Sequence, residues 1–403
     1  MPFGPALTLA LLVGIPCAAA AQRSTVRLGA HAAFAATRVD PAIVGESRTE
    51  AYVLHPLLIA HATAWRDRLD FVGTLNLEGW TLGRGQPAPG NAGEGYADRR
   101  HPHTFAHEVI GTITFPANAT AVSLSAGRGF APFGSDDPMV RPFLIYPANH
   151  HWAQVLERIV VIGAIHRAPF TLEAGLFNGD EPNRAEDLGR LSRLGDSWAL
   201  RATIRPRPAL EIQASHASVA SPEHALGGGL DQRKWSASAR WAGDLAGAGH
   251  VYALVEWAET RESASGRLAF IFTTVLAEVS LEREAWRAAA RFERTTRPEE
   301  ERLFDPFRTA RPHGDENIIG ATRWNTVTAM AAHTFSARGL DIEPFAEAAL
   351  SRVREVTGAI FDPLEFYGSE RITTLSLGVR LSAGMRHERM GRYGVALPAH
   401  HQD

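Results

Sequence analysis

Cysteine is almost absent: Cys17 is the only one in 403 residues. It falls in a segment expected to be removed on export, so the mature chain is read as offering no thiol for disulfides, nucleophilic catalysis or thiolate metal binding. An excess of charge is missing as well. With 41 basic against 44 acidic residues and a formal net charge of -3, nothing matches a nucleic-acid backbone, and a nucleic-acid partner is excluded. Beyond the N-terminus there is no run of eighteen or more apolar residues, which excludes a helical protein of several membrane spans but not a β-barrel, whose strands are short and alternate. Catalytic motifs are lacking too: there is no Gly-x-Ser-x-Gly, no His-Glu-x-x-His and no phosphate-cradling glycine loop. Ser215 and His216 are adjacent and face opposite ways in a strand. The chain is therefore read as not an enzyme, an outer-membrane hydrolase being the less favoured alternative.

What is present begins with the run from Thr8 to Ile15, followed by Ala18 to Ala21 before Gln22 and Arg23. This reads as a secretory leader over residues 1–21, although no basic residue stands near Met1; a buried helix or a membrane anchor is the alternative. After it, a hydrophobic content of 45% with 21% charged residues is enough to build a core and unlike a disordered tail. The dominant period is two. Leu69, Phe71, Leu75 and Leu77 alternate with Asp70, Thr74, Asn76 and Glu78, and similar stretches run Val109 to Phe115, Phe170 to Leu176, Trp198 to Ile204, Trp235 to Trp241, Val251 to Trp257 and Leu375 to Leu381. Each approaches the nine to eleven residues that a tilted strand needs to cross a bilayer.

Connection lengths sharpen this. Tight links at Arg66 to Arg68, Pro116 to Thr120, Arg167 to Ala168 and Arg205 to Arg207 alternate with long stretches. These run at Thr81 to Thr104, Ala131 to Ala153, Asn178 to Gly195, Ala220 to Asp231, Arg297 to Asn317 and Thr357 to Ser369. Short turns on one side and long loops on the other predict an all-β, transmembrane, antiparallel up-and-down β-barrel over residues 22–382. Strands from Val26 to Thr37 through Arg371 to Ser382 make about sixteen, within a range of fourteen to eighteen. Glu282 to Phe292 and Pro344 to Val356 carry Ala, Glu and Arg spacings that a helix also accepts. Trp65, Trp80, Trp152, Trp241, Trp257 and Trp324 fit interfacial girdles. A secreted β-sandwich or barrel whose apolar face meets a second sheet, serving as a binding module, is the competing architecture.

Three polar constellations stand out. His101, Pro102, His103, His107 and Glu108 form the densest, and His150 with His151 ends the next long loop. Imidazoles and a carboxylate at a loop-to-strand junction suit a weak zinc, copper or nickel site, with no other cofactor expected. The plainer reading is that these histidines anchor loops folded into the barrel mouth. The third constellation is the lumen register itself: Asn76, Glu78, Glu108 and Glu173 on neighbouring strands, and Arg201, Arg205, Arg240 and Arg291 further round. Such walls would set a transverse field across a wet pore, or would pair across a plugged one.

Leu75 to Thr81, Tyr96 to His103, His150 to Trp152, Leu172 to Pro182, Asp196 to Trp198 and Ser221 to Glu223 follow one another in an order that resembles a largely uncharacterised family of porin-like outer-membrane β-barrels of Gram-negative bacteria. Its signatures are Asp-Arg-x-His-Pro-His and Phe-Asn-Gly-x-Glu-Pro. The resemblance covers roughly Val26 to Ser382. It implies the fold, an outer-membrane location reached through a cleaved leader, lipid and small solutes or cations as partners, and room for oligomers. Function on this basis is a porin-like channel, with a non-conducting scaffold as the alternative. Two features depart from the pattern. Thr104 stands where an acidic residue is usual, and residues 383–403 form a tail, ending near His400 and His401, after the last strand.

Overall fold

The structure, a computed structural model, describes residues 24–82, 104–148, 150–155, 157–182, 184–300, 318–357 and 362–397. The leader, His101, His103, His400 and His401 lie outside the described residues. Strands β1 (Thr25–Ile43), β2 (Glu46–Ala64), β3 (Leu69–Asn76), β4 (Ala106–Ala117), β5 (Thr120–Gly129), β6 (Arg158–Arg167), β7 (Phe170–Phe177), β8 (Ser197–Arg207) and β9 (Leu210–Val219) make one part of the wall. They are followed by β10 (Asp231–Leu245), β11 (Gly249–Ala264), β12 (Arg267–Arg283), β13 (Trp286–Glu300), β14 (Ile318–His333), β15 (Phe335–Ala337), β16 (Leu340–Thr357) and β17 (Arg371–Gly384). All pairings are antiparallel between chain neighbours, and β1 pairs with β17 from Gly29 opposite Gly384 to Asp40 opposite Thr373, which closes the barrel. Because β14 and β15 are one stave interrupted at Thr334, both pairing with β16, the wall has sixteen staves.

Alternation decides which face is which. On β7 every second side chain is buried, so Thr171 and Glu173 point inward while Leu172 and Leu176 are exposed. On β8, Ser197, Arg201 and Thr203 are buried while Trp198 and Leu200 are exposed. An apolar outside around a polar inside inverts a water-soluble barrel. Such an outer surface is disfavoured in water by about 25 cal/mol per Å² and is at rest against lipid. Among the described residues no helix is long and apolar enough to cross a membrane.

The two stretches with helix-compatible spacing are strands. In β16, Glu343, Glu347 and Ser351 face in and Ala346, Ala348 and Leu350 face out, a two-residue period that pairing on both sides enforces over alanine's helical preference. The tryptophans divide. Trp65, Trp80 and Trp257 are exposed, but Trp324 sits on the inward register of β14 and Trp152 lies inside the barrel, so these last two are interior packing rather than girdle. Most connections on the side of the chain ends are tight. On the opposite side, Ser265 (φ 48°) and Gly266 (φ 78°) turn the β11–β12 hairpin, a left-handed pair that a twisted two-residue turn requires.

Candidate functional site

The lumen is occupied by two pieces of the chain itself. The first is the connection from β5 to β6, residues 130–157, which carries Phe130, Phe133, Met139, Phe143, Leu144, Tyr146 and Trp152. A loop so apolar cannot stay in water, and all seven side chains are buried inside. Phe143, Leu144 and Tyr146 pack with Leu54, Leu57 and Phe345 of the wall, and Trp152 stacks on Phe272 at 4.8 Å between ring centroids. Wall groups satisfy its backbone: Glu347 accepts from the N–H groups of Leu144 (2.6 Å) and Ile145 (3.0 Å), Glu293 accepts from Ala148 N–H (2.8 Å), and Arg380 donates to Pro142 O (2.7 Å). Gly134 (φ 70°) makes the turn that sends the loop across; a Cβ there would stand 1.6 Å from Ala153 O.

The second piece is the tail. After β17, Met385 N–H donates to Leu28 O (2.8 Å) and the chain turns back into the lumen, where Met390, Arg389, Arg392 and Tyr393 are buried. Arg389 donates from Nε to Asp136 (2.8 Å) and from its two Nη atoms to Glu211 (2.9 and 3.2 Å). Arg392 donates to Glu211 (3.1 Å), Thr203 (3.3 Å) and the Gln213 side-chain carbonyl. Wall arginines hold the tail backbone in return: Arg201 donates to Gly391 O (2.8 Å) and Arg205 to Ala396 O (2.9 Å). The tail rises to the level of Phe130 and Gly129 and returns past Ser123, so Leu397 ends on the short-turn side.

Electrostatics follow from this packing. Burial raises the pKa of the Asp136 carboxyl, but Arg389, Arg240 and Arg392 outweigh that and hold it below its ordinary value. Burial and the neighbouring Arg201 bring Arg392 down to about 10, which still leaves it charged at neutral pH. Loop and tail meet at the Arg389 to Asp136 pair and where Phe130 N–H donates to the Tyr393 hydroxyl (3.0 Å). A cavity of about 520 Å³ remains, bounded by Arg141, Phe143, Arg240, Tyr252, Arg287 and Arg380 among others.

Of the residues singled out in the sequence, Asn76, Glu108, Glu173, Arg201 and Arg291 are buried and inward on the strand wall, while Arg205 and Arg240 are half-buried. Glu78 is not on a strand: β3 ends at Asn76, and Glu78 opens the short helix α1 (Glu78–Thr81). It is held inward because it accepts from His55 N–H (2.7 Å) and from Asn76 (3.2 Å). The acidic and basic groups are neighbours as well as opposites. Glu173 and Arg201 form a bidentate pair across β7 and β8 (2.6 Å for both bonds), Arg205 pairs with Glu211 (2.9 Å), and Arg240 stands 3.6 Å from Asp136. Arg291 donates to Ile145 O (2.8 Å).

Among the described residues the histidines have separate partners. His107 is hydrogen-bonded to Glu157 (2.7 Å) on the first side of the lumen, and His150, with His151 in the short helix α2 (His150–Ala153), lies beside Asp137 (3.4 Å) and the Tyr146 ring. Among the described residues no group of three or more His, Cys, Asp or Glu is disposed to hold a metal ion. The sequence reading missed Asp136, Glu211, Gln213, Arg389 and Arg392. The signal for the tail was its run Arg386-His387-Glu388-Arg389-Met390-Gly391-Arg392-Tyr393, with three arginines in eight residues.

No family model and no curated protein sequence matches the chain. Solved structures do. An anion-selective porin from Comamonas acidovorans superposes with a TM-score of 0.53 at 10% identity, over 90% of this chain and 100% of that one. A loop-deletion mutant of OmpT, an outer membrane protein of Vibrio cholerae, gives 0.53 at 8% identity over 89% and 99%. Salmonella typhi OmpF in complex with daunomycin gives 0.52 at 8% over 90% and 98%. At these identities the likeness is one of fold: the chain is a closed sixteen-stranded antiparallel β-barrel of the porin-like kind.

Proposed function

We propose that this protein is an outer-membrane channel for small polar solutes, narrowed in the present state by its own loop and tail. The observation that carries the reading is a polar lumen behind an apolar outer wall, with a 520 Å³ cavity inside. Sixteen staves enclose more space than wall side chains alone fill, and here folded segments of chain take up the rest, held by hydrogen bonds and ion pairs as well as by apolar packing. The polar contacts among these are exchangeable for water and solute. The resemblance in fold to a porin of stated anion selectivity supports the class, not the solute.

Purified protein inserted into planar bilayers is expected to give discrete current steps, and the same sample should shift in gel mobility on boiling as a folded barrel does. Folded protein that is electrically silent, including variants with the tail loosened, contradicts the reading and leaves a structural barrel.

A further inference from the structure

The tail does not merely fill space. It seats two guanidinium groups in a pocket built from strands and loop, and that pocket has a chemistry of its own. Around it stand four carboxylates, Glu108, Asp136, Glu173 and Glu211, against three wall guanidiniums, Arg201, Arg205 and Arg240. With the tail withdrawn, the pocket keeps one more negative than positive charge in a setting where an unpaired carboxylate is costly. Arg201 still covers Glu173, Arg205 still covers one oxygen of Glu211 and Arg240 stays 3.6 Å from one oxygen of Asp136, so the vacancy is local. It consists of the other oxygen of Asp136, the second oxygen of Glu211 and the Gln213 carbonyl. An independent sign that the pocket expects more than the tail supplies is Gln213 itself: it is 4% exposed, and its Nε2 donor has no hydrogen-bond partner.

We infer that this pocket is a binding site for small solutes bearing a guanidinium group and a hydrogen-bond acceptor, arginine-like in chemistry, and that the tail occupies it as an internal surrogate. The inference rests on the channel reading only in that a solute must reach the pocket. Geometry selects guanidinium over ammonium. One planar group, that of Arg389, donates from Nε to Asp136 and from both Nη atoms to the two oxygens of Glu211. A planar fork with five fixed donors spans both carboxylates at once, and a point-like ammonium does not. The free Gln213 donor then meets the solute's carboxylate, a partner that the tail's backbone does not bring to it.

The test uses the full chain carrying Arg389→Gln and Arg392→Gln, titrated with L-arginine, L-lysine and L-glutamate by calorimetry in detergent and by current block in bilayers. Arginine should bind this variant about tenfold or more tighter than lysine, and about tenfold tighter than it binds wild type, where the pocket is occupied. Adding Glu211→Gln should remove the binding. A chain with Ser123→Cys and Val395→Cys, placed where Val395 N–H donates to Ser123 Oγ (3.2 Å), tests the same point with both arginines intact: arginine binding should be lost when the cysteines are oxidised and return on reduction. Equal affinity for arginine and lysine in folded variant, or binding that survives Glu211→Gln, overturns the site. Arginine binding without conductance in any chain keeps the site and removes the channel; conductance without arginine preference does the reverse.

Discussion

The phenol of Tyr393 donates a 2.8 Å hydrogen bond to Glu108, joining a residue near the end of the chain to the second position after the start of β4, 285 residues away in sequence. The same hydroxyl accepts from Phe130 N–H, so one side chain ties tail, wall and inner loop together. Burial and the Glu108 charge hold its pKa well above the ordinary tyrosine value, which keeps the donating proton in place.

Tyr393→Phe leaves Phe130 N–H without its acceptor and weakens the hold on Glu108, which retains Gly391 N–H at 3.3 Å. Leaving a buried donor unpaired costs about 1–3 kcal/mol, taken here from tail docking rather than from the barrel. Trypsin should then cut after Arg389 and Arg392 faster than in wild type, with unchanged heat-modified gel mobility. Equal cutting rates would show that the phenol does not hold the tail.

Acidification should loosen the tail. Burial is the main cause of a lowered His387 pKa, offset by Glu108 and reinforced by His107 and His61, and its Nε2 is bonded to Thr74 (2.8 Å). A group depressed below its ordinary 6.5 binds a proton more readily when released. Docking is therefore at full strength above 6.5 and weakens as pH falls below it. Tryptic cutting at the tail, corrected for the enzyme's own pH profile, should rise between pH 7 and 5. Replacing His387 with Gln should flatten the upper part of that rise.

Arg201→Ala should destabilise the barrel, because it leaves the buried Glu173 with Arg392 at 3.5 Å in place of its bidentate partner. Breaking one side of such a pair costs about 3–5 kcal/mol, whereas a joint Glu173→Gln, Arg201→Met replacement removes both charges and should cost much less. Thermal loss of the folded gel band reads the difference. A single and a double variant that melt together would mean the pair is screened by water.

Gly134→Ala tests the inner loop. Its positive φ and a Cβ at 1.6 Å from Ala153 O leave no room for the methyl group, so the loop must shift away from Ser215, whose hydroxyl accepts from Gly134 N–H (2.9 Å). Larger current steps than wild type are expected. An unchanged step size would place the narrowest point elsewhere.

Much of the barrel was legible because period two and turn length are local signals. Phe170 to Leu176 read as a strand in sequence and is β7 in structure, and the tight link at Pro116 to Thr120 falls on the β4–β5 hairpin. The lumen was less legible. Which inward charge meets which depends on register around the barrel, so Glu173 was readable as lumen-facing while its Arg201 partner, 28 residues on, was not readable as its neighbour. The tail's place in the interior was not legible for a different reason. Residues past the last strand carry no periodicity, and only the burial of Arg389 and Arg392 against Asp136 and Glu211 reveals them as part of the interior.

The most direct measurement is a single-channel recording of a chain carrying Cys17→Ser, Ser123→Cys and Val395→Cys, before and after adding a reductant to the same bilayer. The oxidised form, with its tail fixed in the lumen, should show small or rare steps, and reduction should give larger or more frequent ones. Identical traces, or silence in both states from protein whose gel mobility proves it folded, would contradict a channel narrowed by its own tail.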